Sequence, residues 1–244
     1  MRLRLVPATG LAVAALIVPS AASATVVPSA SAQTSATTTH QSRVAGGSPF
    51  HGFANKKGCG FTNGTTDSGF AVTSQDIYDF GMVSEAADDF VCARSTSLKG
   101  VRWQGNYFDS AATAESFNIY VYADNGGEPS DTAMCSYPKQ RYKSTGAPTF
   151  PQLSITKLKG GACKLRGGAT YWLAIQAYMS FSADGQFGWE TTSDRTGKPA
   201  DWRNPDDGFG TDCTSFSQAG TGKGLDMQDC FHVSGSPDFI FSVK

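Results

Sequence analysis

The chain has 244 residues, 20 Lys and Arg against 21 Asp and Glu, and six cysteines. That near-neutral balance lacks the basic excess that nucleic acid or an anionic membrane rewards, and the length suits a single β domain. No stretch reaches the roughly 20 consecutive apolar residues of a membrane-spanning helix.

Residues 1–24 read as a secretory signal. Arg2 and Arg4 precede an apolar stretch from Leu11 to Val18, and Ala22-Ser23-Ala24 offers a small-residue cleavage site. Cleavage there removes two basic and no acidic residues, leaving a chain of charge −3 that is exported and extracellular. Residues 25–51 form a Ser-, Thr- and Ala-rich tether with too few large apolar groups to offset the entropy of ordering. The folded domain is expected over 52–244.

From about residue 59 onward, short aromatic and β-branched runs alternate with Gly, Asn, Asp and Pro. Strands are predicted at Ala87–Ala93 and Leu98–Phe108. The next, Phe117–Tyr122, sets Phe117, Ile119 and Val121 on one face against Asn118, Tyr120 and Tyr122. A tight connection follows at Asp124-Asn125-Gly126-Gly127, whose residues tolerate positive φ. Further strands are predicted at Thr132–Tyr137, Leu153–Thr156, Tyr171–Tyr178, Gln186–Thr191 and Phe239–Lys244. No stretch of 12 residues carries a helical stripe. The segment from Ser193 to Pro237 reads as one long loop, of the kind that is functional or tied down covalently. Eight to ten short strands without helical crossovers imply an all-β fold, a two-sheet antiparallel β-sandwich, jelly-roll-like and disulfide-bearing.

Six cysteines in an exported chain imply disulfides. Spacing leaves 15 pairings open. Pairing in sequence order, Cys59–Cys92, Cys135–Cys163 and Cys213–Cys230, is the expectation because sequential pairs staple neighbouring strands and loops. The closest two cysteines lie 17 apart, which is not a zinc spacing.

Several phrases together resemble a group of secreted bacterial β-sandwich modules, many carrying cell-surface anchoring tails, whose biochemical role is not established. They are Ala86-Ala87-Asp88-Asp89-Phe90, the run from Ser116 to Pro129, Tyr171-Trp172-Leu173-Ala174-Ile175-Gln176-Ala177, Gly185-Gln186-Phe187-Gly188-Trp189-Glu190, and Trp202-Arg203-Asn204-Pro205 leading to Gly208-Phe209-Gly210. The resemblance implies the fold and an extracellular location, and carries over no catalytic residue.

The candidate chemistry is sparse. His232 is the one histidine within the expected domain beyond its first residues, and no G-x-S-x-G elbow accompanies it. Glu190, beside Trp189, is the best carboxylate for a glycosidase, with Asp88, Asp89, Asp201, Asp206 or Asp207 as its second group. Asp124, Asn125, Glu128 and Asp131 are candidate calcium ligands by their hard oxygens; no other cofactor is implied. Outward-facing Trp189 and Trp202 are expected to form a platform for a sugar, with Glu190, Arg203 and Asn204 as its polar contacts. The expected function is therefore non-catalytic binding of a glycan or cell-envelope surface, with no role for nucleic acid. A paired-carboxylate hydrolase and a purely structural or adhesion module are the alternatives.

Overall fold

The computed structural model describes residues 50–53, 58–108, 113–194, 196–216, 230 and 238–244. The expected signal lies outside them, as does all of the expected tether except its last two residues, and burial among the described residues already begins at Phe50. The fold is all-β, with two sheets packed face to face.

One sheet runs β15 (Asp201–Arg203), β5 (Glu85–Val91), β13 (Thr170–Met179), β8 (Ser116–Ala123), β9 (Cys135–Gln140), with β3 (Gln75–Ile77) and β4 (Met82–Val83) flanking the far half of β13. The other runs β1 (Phe61–Asn63), β17 (Phe241–Val243), β7 (Val101–Tyr107), β11 (Pro151–Ile155), β10 (Lys143–Gly146). It is extended by β14 (Phe187–Thr192), which pairs with β7, β2 (Asp67–Thr73) and β16 (Asp238–Phe239). Two short strands, β6 (Thr96–Ser97) and β12 (Lys164–Leu165), form a separate ribbon. Pairing is antiparallel except where Ala177–Met179 runs parallel to Gln75–Ile77.

Period-two alternation builds the core. On β8 and β13, Val121 sits opposite Leu173, Ile119 opposite Ile175 and Phe117 opposite Ala177, all facing inward as one row. From the opposing sheet, Trp103 sets its ring 4.8 Å from Phe117 and Phe187 sets its own 5.1 Å from the same side chain. Phe117 thus locks the two layers together. Gly188 on β14 has no tolerable substitute, since a Cβ there would come within 2.5 Å of the Phe108 ring.

The outer face of the first sheet is not a solvent face at its β15 end. Trp172 points away from the inter-sheet core, yet it is buried with Ala87, Tyr122, Ala174 and Phe216 in a second apolar cluster. Phe216 closes that cluster from the Gly- and Asp-rich region, which also holds β15. The expected single long loop is therefore interrupted by a short strand. The short helix α1 (Phe181–Asp184) is a single turn capped by Ser180 Oγ.

The cysteines are joined as Cys59–Cys92, Cys135–Cys163 and Cys213–Cys230. Among the described residues no helix is long and apolar enough to cross a membrane.

Candidate functional site

The aromatic platform expected from the sequence does not exist. Trp189 and Trp202 are both fully buried. Trp189 stacks on Phe239 with ring centroids 4.4 Å apart, and its Nε1 donates to the Ile240 carbonyl at 3.1 Å. Trp202 meets Phe209 edge to face, and its Nε1 donates to the Thr73 carbonyl at 2.8 Å. Both indoles are core side chains with their one polar atom satisfied, which is how a sheet accommodates tryptophan inside.

Their expected polar partners are equally occupied. Asn204 is buried, with its N–H donating to the Cys213 carbonyl at 2.7 Å and its Nδ2 to Thr211 Oγ1 at 3.2 Å. Arg203 retains 16% side-chain exposure, but its Nε and Nη2 both donate to Glu85 Oε2, at 2.9 and 2.7 Å. Tyr122 Oη donates to the other Glu85 oxygen at 2.6 Å, and the guanidinium lies over the Phe216 ring at 4.2 Å. This bidentate, ring-stacked geometry is specific to arginine and pins the 204–216 segment onto the sheet.

Glu190 is buried and accepts from Asn106 Nδ2 at 2.7 Å. Burial, and then the adjoining Asp67 charge, push its pKa well above the ordinary carboxylate range. A glycosidase needs its two carboxyls about 5–9.5 Å apart with a sugar bond between them. Glu190 is instead about 1% exposed, so a sugar bond cannot reach it without opening the core. Asp207 is likewise engaged, accepting the N–H groups of Thr211 and Asp212 at 2.9 and 3.0 Å. His232 lies outside the described residues.

The expected calcium ligands do not converge. Asp124 Oδ1 accepts from Trp172 Nε1 at 3.0 Å, the Asn125 N–H donates to the Glu128 carbonyl at 2.8 Å, and Asp131 offers its backbone oxygen to Arg203. Among the described residues no three His, Cys, Asp or Glu side chains gather as a metal would require. The segment is a tight turn, with Gly126 and Gly127 at φ 75° and 103°.

A different acidic group ties the sheets together. Asp88 shares the inward face of β5 with Ala86 and Phe90, and its Oδ2 accepts from Asn63 Nδ2 on β1 at 2.9 Å and from the Phe239 N–H on β16 at 2.6 Å. Its neighbour Asp89 accepts the Lys198 N–H at 2.9 Å, and the Thr196 N–H donates to Asp238 at 2.6 Å. Burial and the nearby Asp238 charge raise Asp88 well above the usual range, and burial pushes Asp89 up to about 6. Groups raised in the folded state stabilise it below their unfolded pKa and lose that contribution as pH rises through the folded value. The melting temperature is therefore expected to increase by at least about 3 °C between pH 7.5 and pH 5, with Asp89→Asn flattening part of the slope. A midpoint that is flat or falling over that interval would contradict the assignment. Below about pH 4 the trend reverses. Although desolvation acts to raise the Asp79 pKa, the Ser182 and Phe181 N–H groups and the Ser180 hydroxyl outweigh it and lower the value to about 2.

An open cleft of about 450 Å³ lies at one end of the sandwich, lined by Leu98, Lys99, Tyr137, Lys157, Leu158 and Lys244 among others. Its walls are the segments 97–99 and 156–162, joined where the Leu158 N–H donates to the Lys99 carbonyl at 2.9 Å. Tyr137 of β9 forms the floor, donating to the Gly161 carbonyl at 2.8 Å and accepting the Cys163 N–H at 3.1 Å. The Cys135–Cys163 bond ties the second wall to the strand beneath it. Lys244 closes the rim, its N–H donating to the Gly100 carbonyl at 2.9 Å. The volume falls within the usual range for small-molecule sites. Three lysines line the cleft beside apolar surface, with no carboxylate or imidazole side chain among the lining residues, and the Lys244 ammonium lies over the Phe53 ring at 5.6 Å. None of these residues was a sequence candidate. Their signal is a local excess of positive charge that the near-zero net charge conceals.

Compared with family models, curated proteins and solved structures, the chain matches none.

Proposed function

We propose that the chain is an extracellular, non-catalytic binding module that holds a glycan or other cell-envelope polymer in the cleft between segments 97–99 and 156–162. The observation that carries this reading is the cleft itself, of small-molecule size and lined by three lysines beside apolar surface. The extracellular part is supported by the signal-like N-terminus and by three disulfides with no free cysteine among the described residues. Likeness to secreted β-sandwich modules with anchoring tails agrees with both.

The test is a panel of neutral and acidic polysaccharides, presented to the intact chain and to Gly161→Trp. Gly161 lines the cleft, and a Cβ there meets nothing within 4 Å, so an indole at this position adds bulk at the cleft without a clash at its Cβ. Retention by at least one polysaccharide, weakened about tenfold or more in Gly161→Trp at an unchanged melting temperature, is the expected outcome. Absence of retention across the panel, or equal retention by the variant, would remove the cleft as the site.

A further inference from the structure

We infer that the ligand is a polyanionic glycan built of uronate-bearing sugars, and that it extends from the cleft along the side of the sandwich formed by β9 and β10. This rests on the cleft being the binding site. Charge is segregated along this chain: the 52 residues from Thr132 to Ala183 hold seven of its 20 Lys and Arg and none of its 21 Asp and Glu. That run supplies β9, the outer edge of one sheet, and β10, the outer edge of the other. The two edges are linked directly by Arg141 and Tyr142, so they lie on the same side of the molecule.

Hydrogen bonds make the basic surface continuous with the cleft. Lys99 and Lys157 lie at the cleft wall, where Lys99 receives the Leu158 N–H. The next residue, Lys159, is clasped by Gln140 of β9, whose Oε1 accepts the Lys159 N–H at 2.8 Å and whose Nε2 donates to its carbonyl at 3.1 Å. Gln140 stands between Lys139 and Arg141, and Lys143 begins β10 two residues later. All of these cations except the half-buried Lys244 are exposed. Among the described residues the sole ion pair is Arg203 with Glu85, far along the chain from this surface; Lys139 is partly offset by the Asp76 charge and lies over the Tyr178 ring at 4.0 Å, while Arg141, Lys143, Lys157 and Lys159 have no carboxylate at ion-pair distance.

Lysines on edge strands also discourage strand addition. That role explains Lys139 and Lys143. It does not explain Lys157 and Lys159, which sit on a loop, or the absence of every acidic residue from the run. A row of cations with few carboxylates beside it raises the local concentration of a polyanion and orients it. The cleft then narrows the choice of polyanion. Half-buried Leu158 and the exposed Gly160-Gly161-Ala162 segment offer apolar surface that the carbon face of a sugar ring can cover, above the buried Leu98 and Tyr137, while the lining lysines call for a charge carried on that ring. A uronate has both, whereas a phosphate polymer without rings offers only the charge.

The experiment measures affinity for polygalacturonate, for neutral dextran, for poly(glycerol phosphate) and for duplex DNA, at 50 and 300 mM NaCl. It compares the parent chain with Arg141→Glu/Lys143→Glu/Lys159→Glu, whose changes lie outside the cleft lining. Polygalacturonate is expected to bind, to weaken about tenfold or more at the higher salt as screening shortens the reach of the charges, and to lose a further tenfold in the triple variant, with melting temperature unchanged. Equal or tighter binding of poly(glycerol phosphate) or DNA overturns the uronate assignment. Dextran binding that is insensitive to salt and to the triple variant overturns the inference while leaving the cleft as a glycan site. No binding to any probe, together with a silent polysaccharide panel, overturns both.

Discussion

Replacing Trp189 by alanine is expected to destabilise the fold by about 3–5 kcal/mol, the usual cost of deleting a buried indole. The ring is fully buried, stacked on Phe239 and edge-on to Phe241 at 5.6 Å. Its removal empties a space that three separate strands frame and that none can close alone. The Ile240 carbonyl also loses its 3.1 Å indole donor but keeps the Gln104 N–H at 3.2 Å, so the lost ring packing dominates the cost. Against a typical total stability of about 5–15 kcal/mol, such a loss lowers the melting temperature on the order of 10 °C. Urea denaturation of Trp189→Ala beside Trp189→Phe measures it. The phenylalanine variant keeps most of the ring contacts and is expected to retain most of the stability. A Trp189→Ala midpoint indistinguishable from that of the parent would mean that the ring does not lie in the core.

Arg203→Ala is expected to cost about 3–5 kcal/mol as well, by a different route. The substitution strands Glu85, whose side chain is 4% exposed, with Tyr122 as its remaining side-chain partner. It also strips the cation from the Phe216 ring, which covers the outer apolar cluster. The distinguishing measurement is a double-mutant cycle. Arg203→Met with Glu85→Leu, which deletes both charges and keeps the volume, is expected to be more stable than Arg203→Ala alone, because an unpaired buried charge costs more than an absent pair. If the single variant proves the more stable, the pair does not hold the 204–216 segment down.

The central strands were legible because their alternation is long. Phe117-Ile119-Val121 and Leu173-Ile175-Ala177 repeat one parity over most of a strand, and the structure places both rows inside. β2 escaped notice because its first three residues, Asp67-Ser68-Gly69, are polar or small and exposed. β15 escaped because three residues in a Gly- and Asp-rich region carry no period. The misplacement of Trp189 is instructive, since the information was present: it shares parity with Phe187, a core residue, whereas Glu190 has the opposite parity. Residue type suggested a sugar platform where position already implied the interior.

The phrases that mark the resemblance are, side chain by side chain, parts of the packing. In Ala86-Ala87-Asp88-Asp89-Phe90 the two alanines are buried where only small groups fit, Asp88 bridges the sheets, Asp89 receives the Lys198 N–H, and Phe90 lies in the core. Such phrases report on fold and are silent about ligand. The cleft is made instead from backbone turns, lysine rims and one tyrosine, which have no distinctive spacing along the chain. Its charge becomes visible only when the acid-free run from Thr132 to Ala183 is read as a unit.

The three disulfides enclose separate intervals of sequence, with separations of 33, 28 and 17 residues, and none is nested within or threaded across another. A chain delivered N-terminus first therefore completes Cys59–Cys92 before Cys135 has emerged, and Cys135–Cys163 before Cys213 has. If each pair closes as it emerges, Cys92, Cys163 and Cys230 each meet a single unpaired partner, so oxidation can keep pace with delivery and no shuffling step is required to reach the native set.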